Sequence, residues 1–358
     1  MRKLWVVYNP RSSHHAAVEA EVLAPARRVS GFLVGKYEIK QTTVEHNASI
    51  LAGMLGDGDL VVSAGGDGTA AIAANAVMTS EKDVTFSALG YGNFNDMARM
   101  LKTRRPVEYG GEYVGGITEI IEGFLAGDGG SEGSRGVSSS GAASGAGSFG
   151  AARVREIWPL EILVDGKHWR YAPCYVTLGL LAEASEIMDG DRVRKSLNTG
   201  KRGPLYSLIV AVFWYLKNKG RKFLPSSGVE SSASEGIADS EEVVVKLNGE
   251  ALEEGATDYL AVNGPTMSRL MKGGRWYLSE TGFGSAVKRL GKFWKMVGFG
   301  LRSVIFGLRL NEASVDKVEF SQPSTVEIQA EGEYQRLEGV LKIEVRKAKR
   351  GMKVVCGK

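Results

Sequence analysis

The chain has 358 residues, of which 43% are hydrophobic and 24% charged, and its formal net charge is +4. These values describe a soluble globular protein long enough for two hydrophobic cores, and they argue against a fibrous or disordered chain. Two cysteines, Cys174 and Cys356, argue against a disulfide framework and fit a reducing cytoplasm. Leu4–Tyr8 is too short for a secretory leader and lacks a cleavage pattern. The longest apolar run, the 12 residues Leu205–Leu216, falls well below the ~20 that span a bilayer.

Residues 1–125 alternate strand and helix. Strands are expected at Leu4–Tyr8, Tyr37–Gln41, Leu60–Ser63 and Val84–Leu89, with helices between them and after Asn93. Such alternation implies a mainly parallel, doubly wound sheet. Gly127–Ser148 follows, a tract in which Gly, Ser and Ala fill 18 of 22 positions; that composition predicts a disordered insert. A second polar tract covers Ser226–Ser240. Strand-like runs occupy Leu160–Val164, Tyr171–Leu178, Glu242–Leu247, Tyr259–Asn263, Val315–Phe320, Thr325–Ala330 and Leu341–Val345. Many strands with few long helices predict a β-rich second domain, a sandwich.

Charge is unevenly spread. Arg192–Lys222 holds nine Lys or Arg and no acid, and Ser285–Arg309 holds six and no acid. Phe213, Trp214 and Tyr215 interleave the first stretch; Phe293, Trp294, Phe299 and Phe306 interleave the second. Basic residues among aromatics at helical spacing suit an anionic membrane surface. A core-packing helix with a solvated basic face is the plainer alternative. No nucleic-acid-binding module accompanies the charge, so nucleic acid is not an expected partner.

Chemistry concentrates in the first domain. The third strand feeds Gly65-Gly66-Asp67-Gly68-Thr69, which opens into an alanine-rich helix. Glycines let the backbone approach a bulky anion, and the free N–H groups of a helix start supply donors and partial positive charge. Asp67 is out of place beside a phosphate unless a cation or a proton transfer is involved. The turn is neither a P-loop nor a dinucleotide fingerprint. A second strand–glycine–helix unit follows in Leu89-Gly90-Tyr91-Gly92-Asn93-Phe94-Asn95-Asp96. Asn95 and Asp96 sit where a helix begins and could simply cap it. Parallel sheets place both turns at the carboxyl edge of the strands, where ligands bind.

Asn9-Pro10, the Gly65–Thr69 turn and Gly92-x-x-Asn95-Asp96-x-Ala98-Arg99 together resemble the diacylglycerol kinase catalytic family, which includes bacterial lipid kinases and sphingosine-kinase-like enzymes. Weaker agreement extends to Val176–Glu183, to Arg192, Arg194 and Gly203–Tyr206, to Ala261–Gly264, and to Glu331-Gly332-Glu333 in place of Asp-Gly-Glu. The chain departs from the family at Gly92-Asn93-Phe94, where Gly-Thr-Gly is usual. It departs again at Glu280-Thr281-Gly282, where the family has the Asp-Asp-Gly of a structural metal site. The resemblance implies an α/β nucleotide-binding domain over 1–125, to which residues 346–358 return, and a β-sandwich lipid-substrate domain over 151–345. The insert spans 126–150, and a cleft separates the domains.

On this reading the protein is a cytoplasmic, peripherally membrane-associated kinase that moves the γ-phosphoryl group of ATP to a lipid hydroxyl. Gly65, Gly66, Gly68 and Thr69 would hold phosphates, with Asn9, Thr43, Gly92 and Asn95 completing the nucleotide site. Asp67 and Asp96 would hold Mg²⁺, and Asp67 or Glu333 would take the acceptor proton. A catalytic role for His14 or His15 is disfavoured by their place in a loop or first helical turn. A homodimer is allowed. Diacylglycerol, a sphingoid base and a polyprenol are all open as acceptors. An NAD-kinase or phosphofructokinase-like enzyme, which shares the Gly-Gly-Asp-Gly turn, and a non-catalytic lipid- or nucleotide-binding protein are the rival readings.

Overall fold

The apolar run Leu4–Tyr8 forms the heart of β1 (Lys3–Tyr8), where five of six residues are buried. The computed structural model describes residues 2–29, 31–40, 42–92, 95–103, 116–128, 152–179, 181–182, 243–247, 250–251, 258–264, 266–267, 271–272, 280–288 and 293–357. Expectations for Asn93 and Phe94, for Glu183, for most of the Gly/Ser tract, for Arg192–Lys222, for Ser226–Ser240 and for Lys292 lie outside them. The chain divides into two units: Met1–Ile157 with Arg350–Lys358, and Trp158–Lys349.

In the first unit β1 lies between β2 (Leu33–Glu38) and β3 (Leu60–Gly65), and β4 (Thr85–Gly90) follows β3; all three pairings are parallel. Two more strands extend the sheet. Met352–Cys356 (β18) pairs in parallel with β4, and Arg153–Ile157 (β5) pairs with it antiparallel, giving the order β2-β1-β3-β4-β18-β5. Because β5 joins this sheet, the second unit begins at Trp158 rather than 151, and the returning segment begins at Arg350 rather than 346.

The helical residues 15–26, in which Glu19–Leu23 take the wider π form, and the Ile117–Asp128 helix cover one face of the sheet. Ile117, Ile120, Ile121 and Phe124 supply the buried stripe of the latter, at the spacing an amphipathic helix requires. The Val44–Met54 and Asp67–Thr79 helices pack against each other as a second layer. Ten of thirteen residues of Asp67–Thr79 are buried, so small alanines, not one apolar stripe, suit it.

The second strand sits four residues earlier than the sequence suggests. Within the observed strand, Gly35 lies opposite Trp5 in the sheet. A Cβ at Gly35 would stand 2.7 Å from the Trp5 ring. The glycine makes room for the indole, whose Nε1 donates to Asp59 Oδ2 at 3.1 Å.

Every strand pairing described in the second unit is antiparallel. The main sheet runs β15 (Asn311–Ala313), β14 (Phe283–Lys288), β11 (Asp258–Val262), β8 (Tyr175–Gly179), β16 (Val315–Ala330), β17 (Glu333–Lys347), β6 (Leu160–Val164), β7 (Lys167–Ala172). Thr266–Met267 (β12) and Met271–Lys272 (β13) pair as a separate two-stranded sheet. Val243–Leu247 (β9) pairs with the first half of β16 and with Glu250–Ala251 (β10), while β8 pairs with the second half of β16. The expected strands Val315–Phe320 and Thr325–Ala330 are therefore one strand, irregular between Glu319 and Val326. Pro323 sits in that irregularity, where no ladder donor is needed. Tyr171–Leu178 is conversely two strands, split by a turn at Pro173-Cys174. Leu160, Ile162, Tyr259, Phe283, Val326 and Ile343 are among the residues of a single core drawn from both sides of that bend. The basic stretch Ser285–Arg309 is part strand and part helix: β14 ends at Lys288, and the helix is Phe293–Phe306. No helix among the described residues is long and apolar enough to cross a membrane.

Candidate functional site

From β1 the chain passes to β2 on one side and returns as β3 on the other. Strand order reverses there, and the crevice at the carboxyl ends of two such strands is where open α/β sheets bind ligands. Asn9 leaves the end of β1, and Gly65–Thr69 leave the end of β3. Gly65 pairs with Gly90 in register, so the second glycine turn emerges alongside the first. Tyr91 N–H donates to Gly65 O at 2.8 Å, carrying the pairing one step beyond the strands.

The two turns touch through glycine. A Cβ on Gly92 would fall well inside contact distance of the Gly66 Cα. Gly66 is also the cap of the Asp67–Thr79 helix, in extended conformation and with no side-chain acceptor of its own. This presents the opening N–H groups of a thirteen-residue helix at the sheet edge, the arrangement that favours an anionic ligand. Thr69 is buried behind the turn.

Asp67 joins the turns. Its Oδ1 accepts the backbone N–H of Asp96 at 2.6 Å. The carboxylate of one unit thus satisfies a backbone donor at the start of the next helix, Asp96–Met100. Asp96 is itself buried, at 1% exposure, so two carboxylates stand on adjoining helix starts. Asn95 does not cap that helix with its side chain. It takes the left-handed conformation, φ 54°, which asparagine tolerates better than most residues. Its Oδ1 accepts from Gly92 N–H and its Nδ2 donates to Gly92 O, both at 2.7 Å. Asn95 therefore locks the second turn closed.

Asn9 and Thr43 serve the same edge. Asn9 Oδ1 accepts from Arg11 N–H at 2.9 Å. Thr43 caps the Val44–Met54 helix, its Oγ1 accepting from His46 N–H at 3.2 Å. His15 begins the first helical segment with its ring stacked on Tyr8 at 5.6 Å. Tyr8 Oη donates to Glu38 Oε1 at 2.7 Å. Burial, then the Glu38 carboxylate, push the Tyr8 hydroxyl up to about 12.

Glu333 belongs to the second unit, at the start of β17 and half-buried. The preceding Glu331 and Gly332 both have left-handed φ, 56° and 82°; they form the two-residue hairpin turn that links β16 to β17. Glu331 is 1% exposed. Its Oε1 accepts from the backbone N–H groups of Cys174 and Tyr175, the latter at 2.9 Å. It is a structural bracket that fixes the hairpin tip, and with it the backbone of Glu333, to the turn entering β8. Asn263 holds that turn from another side. Its Nδ2 donates to Pro173 O at 2.8 Å and to Trp158 O at 2.9 Å. Lys347 Nζ donates to Trp158 O at 3.1 Å and to Asn263 Oδ1, and burial lowers its ammonium to about 7. The sequence gives no direct sign of Lys347; for Asn263 the sign is an amide ending an otherwise apolar strand. At the segment compared with the family's metal site, Glu280 and Thr281 are exposed. No group of three or more potential metal-binding side chains occurs among the described residues.

Comparison with known proteins agrees with the geometry. Residues 3–122 match the family profile described as the diacylglycerol kinase catalytic domain. No curated protein sequence matches the chain. A solved structure from Bacillus anthracis str. Sterne, provisionally named a diacylglycerol kinase, superposes with a TM-score of 0.58 at 13% identity, covering 99% of this chain and 97% of that one. Another crystal structure of a diacylglycerol kinase from the same organism gives 0.55 at 10% identity, with the same coverage of both chains. At such identity the likeness is one of fold: a parallel α/β unit followed by an antiparallel β-rich unit. Within that fold, residues 3–122 of this chain are similar to the diacylglycerol kinase catalytic domain.

Proposed function

We propose that this protein is an ATP-dependent lipid kinase that transfers the γ-phosphoryl group to the hydroxyl of a diacylglycerol-like lipid. One observation carries the reading: two glycine turns in backbone contact at the sheet's switch point, joined by the carboxylate of Asp67. A lone structural turn needs neither the second glycine turn nor a second buried acid beside it. The backbone of Gly65, Gly66, Gly68 and Thr69 would receive the phosphates, with Asn9 and Thr43 toward the nucleoside, and Gly92 and Asn95 shaping the far wall.

Asp67 and Asp96 fit a magnesium ion, which commonly uses one or two carboxylates and completes its shell with phosphate oxygens and water. Such an ion supplies neutralisation of the charge that develops on the transferred phosphoryl group. The Asp96 N–H fixes the Asp67 carboxylate in orientation, so its position needs no reorganisation when charge arrives. Asp67 and Glu333 are the two candidates for the base that takes the acceptor proton, and Glu333→Gln tests the second.

The experiment is a panel with radiolabelled ATP and Mg²⁺. The acceptors are short-chain diacylglycerol, sphingosine, a polyprenol and NAD⁺, each with wild type and Asp67→Asn. Transfer to diacylglycerol that Asp67→Asn loses supports the reading. Transfer to NAD⁺ alone replaces it with a small-molecule kinase, and absence of any transfer replaces it with a binding protein.

A further inference from the structure

The Phe293–Phe306 helix turns bulky apolar groups toward solvent. Leu301, Ile305 and Phe306 are 39%, 63% and 81% exposed. At about 100° per residue they share one arc with Lys295 and Arg302, also exposed, while Gly300 and Ser303, off that arc, are the buried members among the helix residues described. An amphipathic helix that packs on a core does the reverse. Beside the helix lies a cavity of about 300 Å³ lined by Lys288, Arg302 and Arg309, with Phe299 in its wall. No Asp or Glu occurs from Thr281 to Asn311.

We infer that this surface docks the protein on an anionic bilayer. The cavity, lined by three cationic side chains, takes a lipid phosphate, and Ile305 and Phe306 enter the boundary between headgroups and acyl chains. A bilayer presents anionic oxygens above a continuous apolar layer, and this face offers both complements within two turns of helix. A soluble anion would match the arginines and leave Ile305 and Phe306 in water. An amphipathic helix with bulky apolar and basic residues on one exposed arc is the form that lies in a membrane interface, and attraction between basic residues and anionic lipid is screened by salt. The inference deepens the lipid-kinase reading and rests on it for its purpose, since an acceptor dissolved in a bilayer must be met there.

The test is flotation of the full chain with phosphatidylglycerol vesicles and with phosphatidylcholine vesicles, at low salt and at about 0.5 M salt. Turnover of detergent-dispersed diacylglycerol is measured in parallel. The wild type is expected to float with phosphatidylglycerol at low salt and to be released by high salt. Ile305→Ser with Phe306→Ser should weaken that binding at least about tenfold, and Arg302→Glu with Arg309→Glu should remove the preference for phosphatidylglycerol. Thermal melting confirms that each variant is folded; Ile305→Gln, with Phe306 intact, stands in if the double serine variant is not. Binding that is absent, or unchanged in folded variants, overturns the inference, and lipid turnover in detergent then leaves the kinase reading standing. Vesicle binding without any lipid turnover does the opposite. If the serine variant instead converts a dimer to a monomer and leaves flotation intact, the face belongs to a second copy of the chain and the membrane inference falls.

Discussion

Asp67 combines two tasks that substitution can separate. Asn at this position keeps an oxygen able to accept the Asp96 N–H and loses the charge. Asp67→Asn should therefore melt close to wild type, while phosphoryl transfer falls by at least about 10²-fold. Asp67→Ala loses both, so it should add a stability loss of about 1 kcal/mol, the order expected when a part-buried backbone donor loses its partner. Melting and turnover of the pair separate clasp from chemistry. Lys347 gives a second residue-scale test. Between about 7, its folded value, and the ordinary lysine value of 10.5, the unfolded chain keeps a proton that the folded chain has released. Stability consequently rises with pH across that window, and the burden of the buried ammonium is greatest below it. Lys347→Met should flatten the profile, gaining most on wild type below about pH 7, as calorimetry of both proteins from about pH 6 to 10 would show. Asp67 is legible in sequence because a carboxylate inside a glycine turn before a helix has a meaning of its own. Glu331 is legible only as a position, since its partners are the backbone N–H groups of Cys174 and Tyr175, more than 150 residues away in the chain.

At the scale of elements, contact between two turns is the demanding feature. Gly92→Ala sets a methyl against the Gly66 backbone, which cannot move aside as a flexible side chain could. The expected cost is about 1–3 kcal/mol, with loss of nucleotide binding because the turns must part. Gly53→Ala is the control: it lies in the Val44–Met54 helix with nothing within 4 Å of its Cβ position, so it should stabilise by about 0.5–1 kcal/mol. Urea titration of the two variants checks both signs. Where strands are mostly Leu, Val and Ile, as at Leu60–Ser63 and Leu160–Val164, sequence and structure coincide. They part where a residue answers to a cross-strand neighbour. Gly35 looks like an interruption until Trp5 is seen above it, and Phe283–Lys288 lacks a strand's composition because its small residues sit buried between β11 and β15.

For the whole molecule, the long Gly/Ser tract is the plainest test. Gly127 lies against Val154, and Gly123 against Ala152. The segments that flank the tract therefore already adjoin within the first unit, so shortening it asks for no rearrangement. Removal of residues 131–148 should leave the melting temperature unchanged or slightly raised, since a shorter loop costs less entropy to close, and should leave turnover unchanged. A fall in either would show that the tract makes contacts the fold needs. The order of elements in the first unit is written in the sequence, because alternating strand and helix allow few topologies. The sheet's last two strands are not, because Arg153–Ile157 and Met352–Cys356 are short segments whose pairing joins positions nearly 200 residues apart.

That pairing has a consequence for synthesis. The strand that seals β4 and seats β5 is made of residues 352–356, so the first unit begins to emerge early and cannot finish folding until those residues have followed. Trp158–Lys349 emerges in between with every strand of its own sheet and is free to fold first, reversing the usual order in which amino-terminal domains lead. In the meantime the open edge of β4 is a place for stray strand pairing. Chains truncated after residue 349 and released from the ribosome should resist protease in the second unit and be cut in the first. Protection of the first unit should appear only in chains that include residues 352–356.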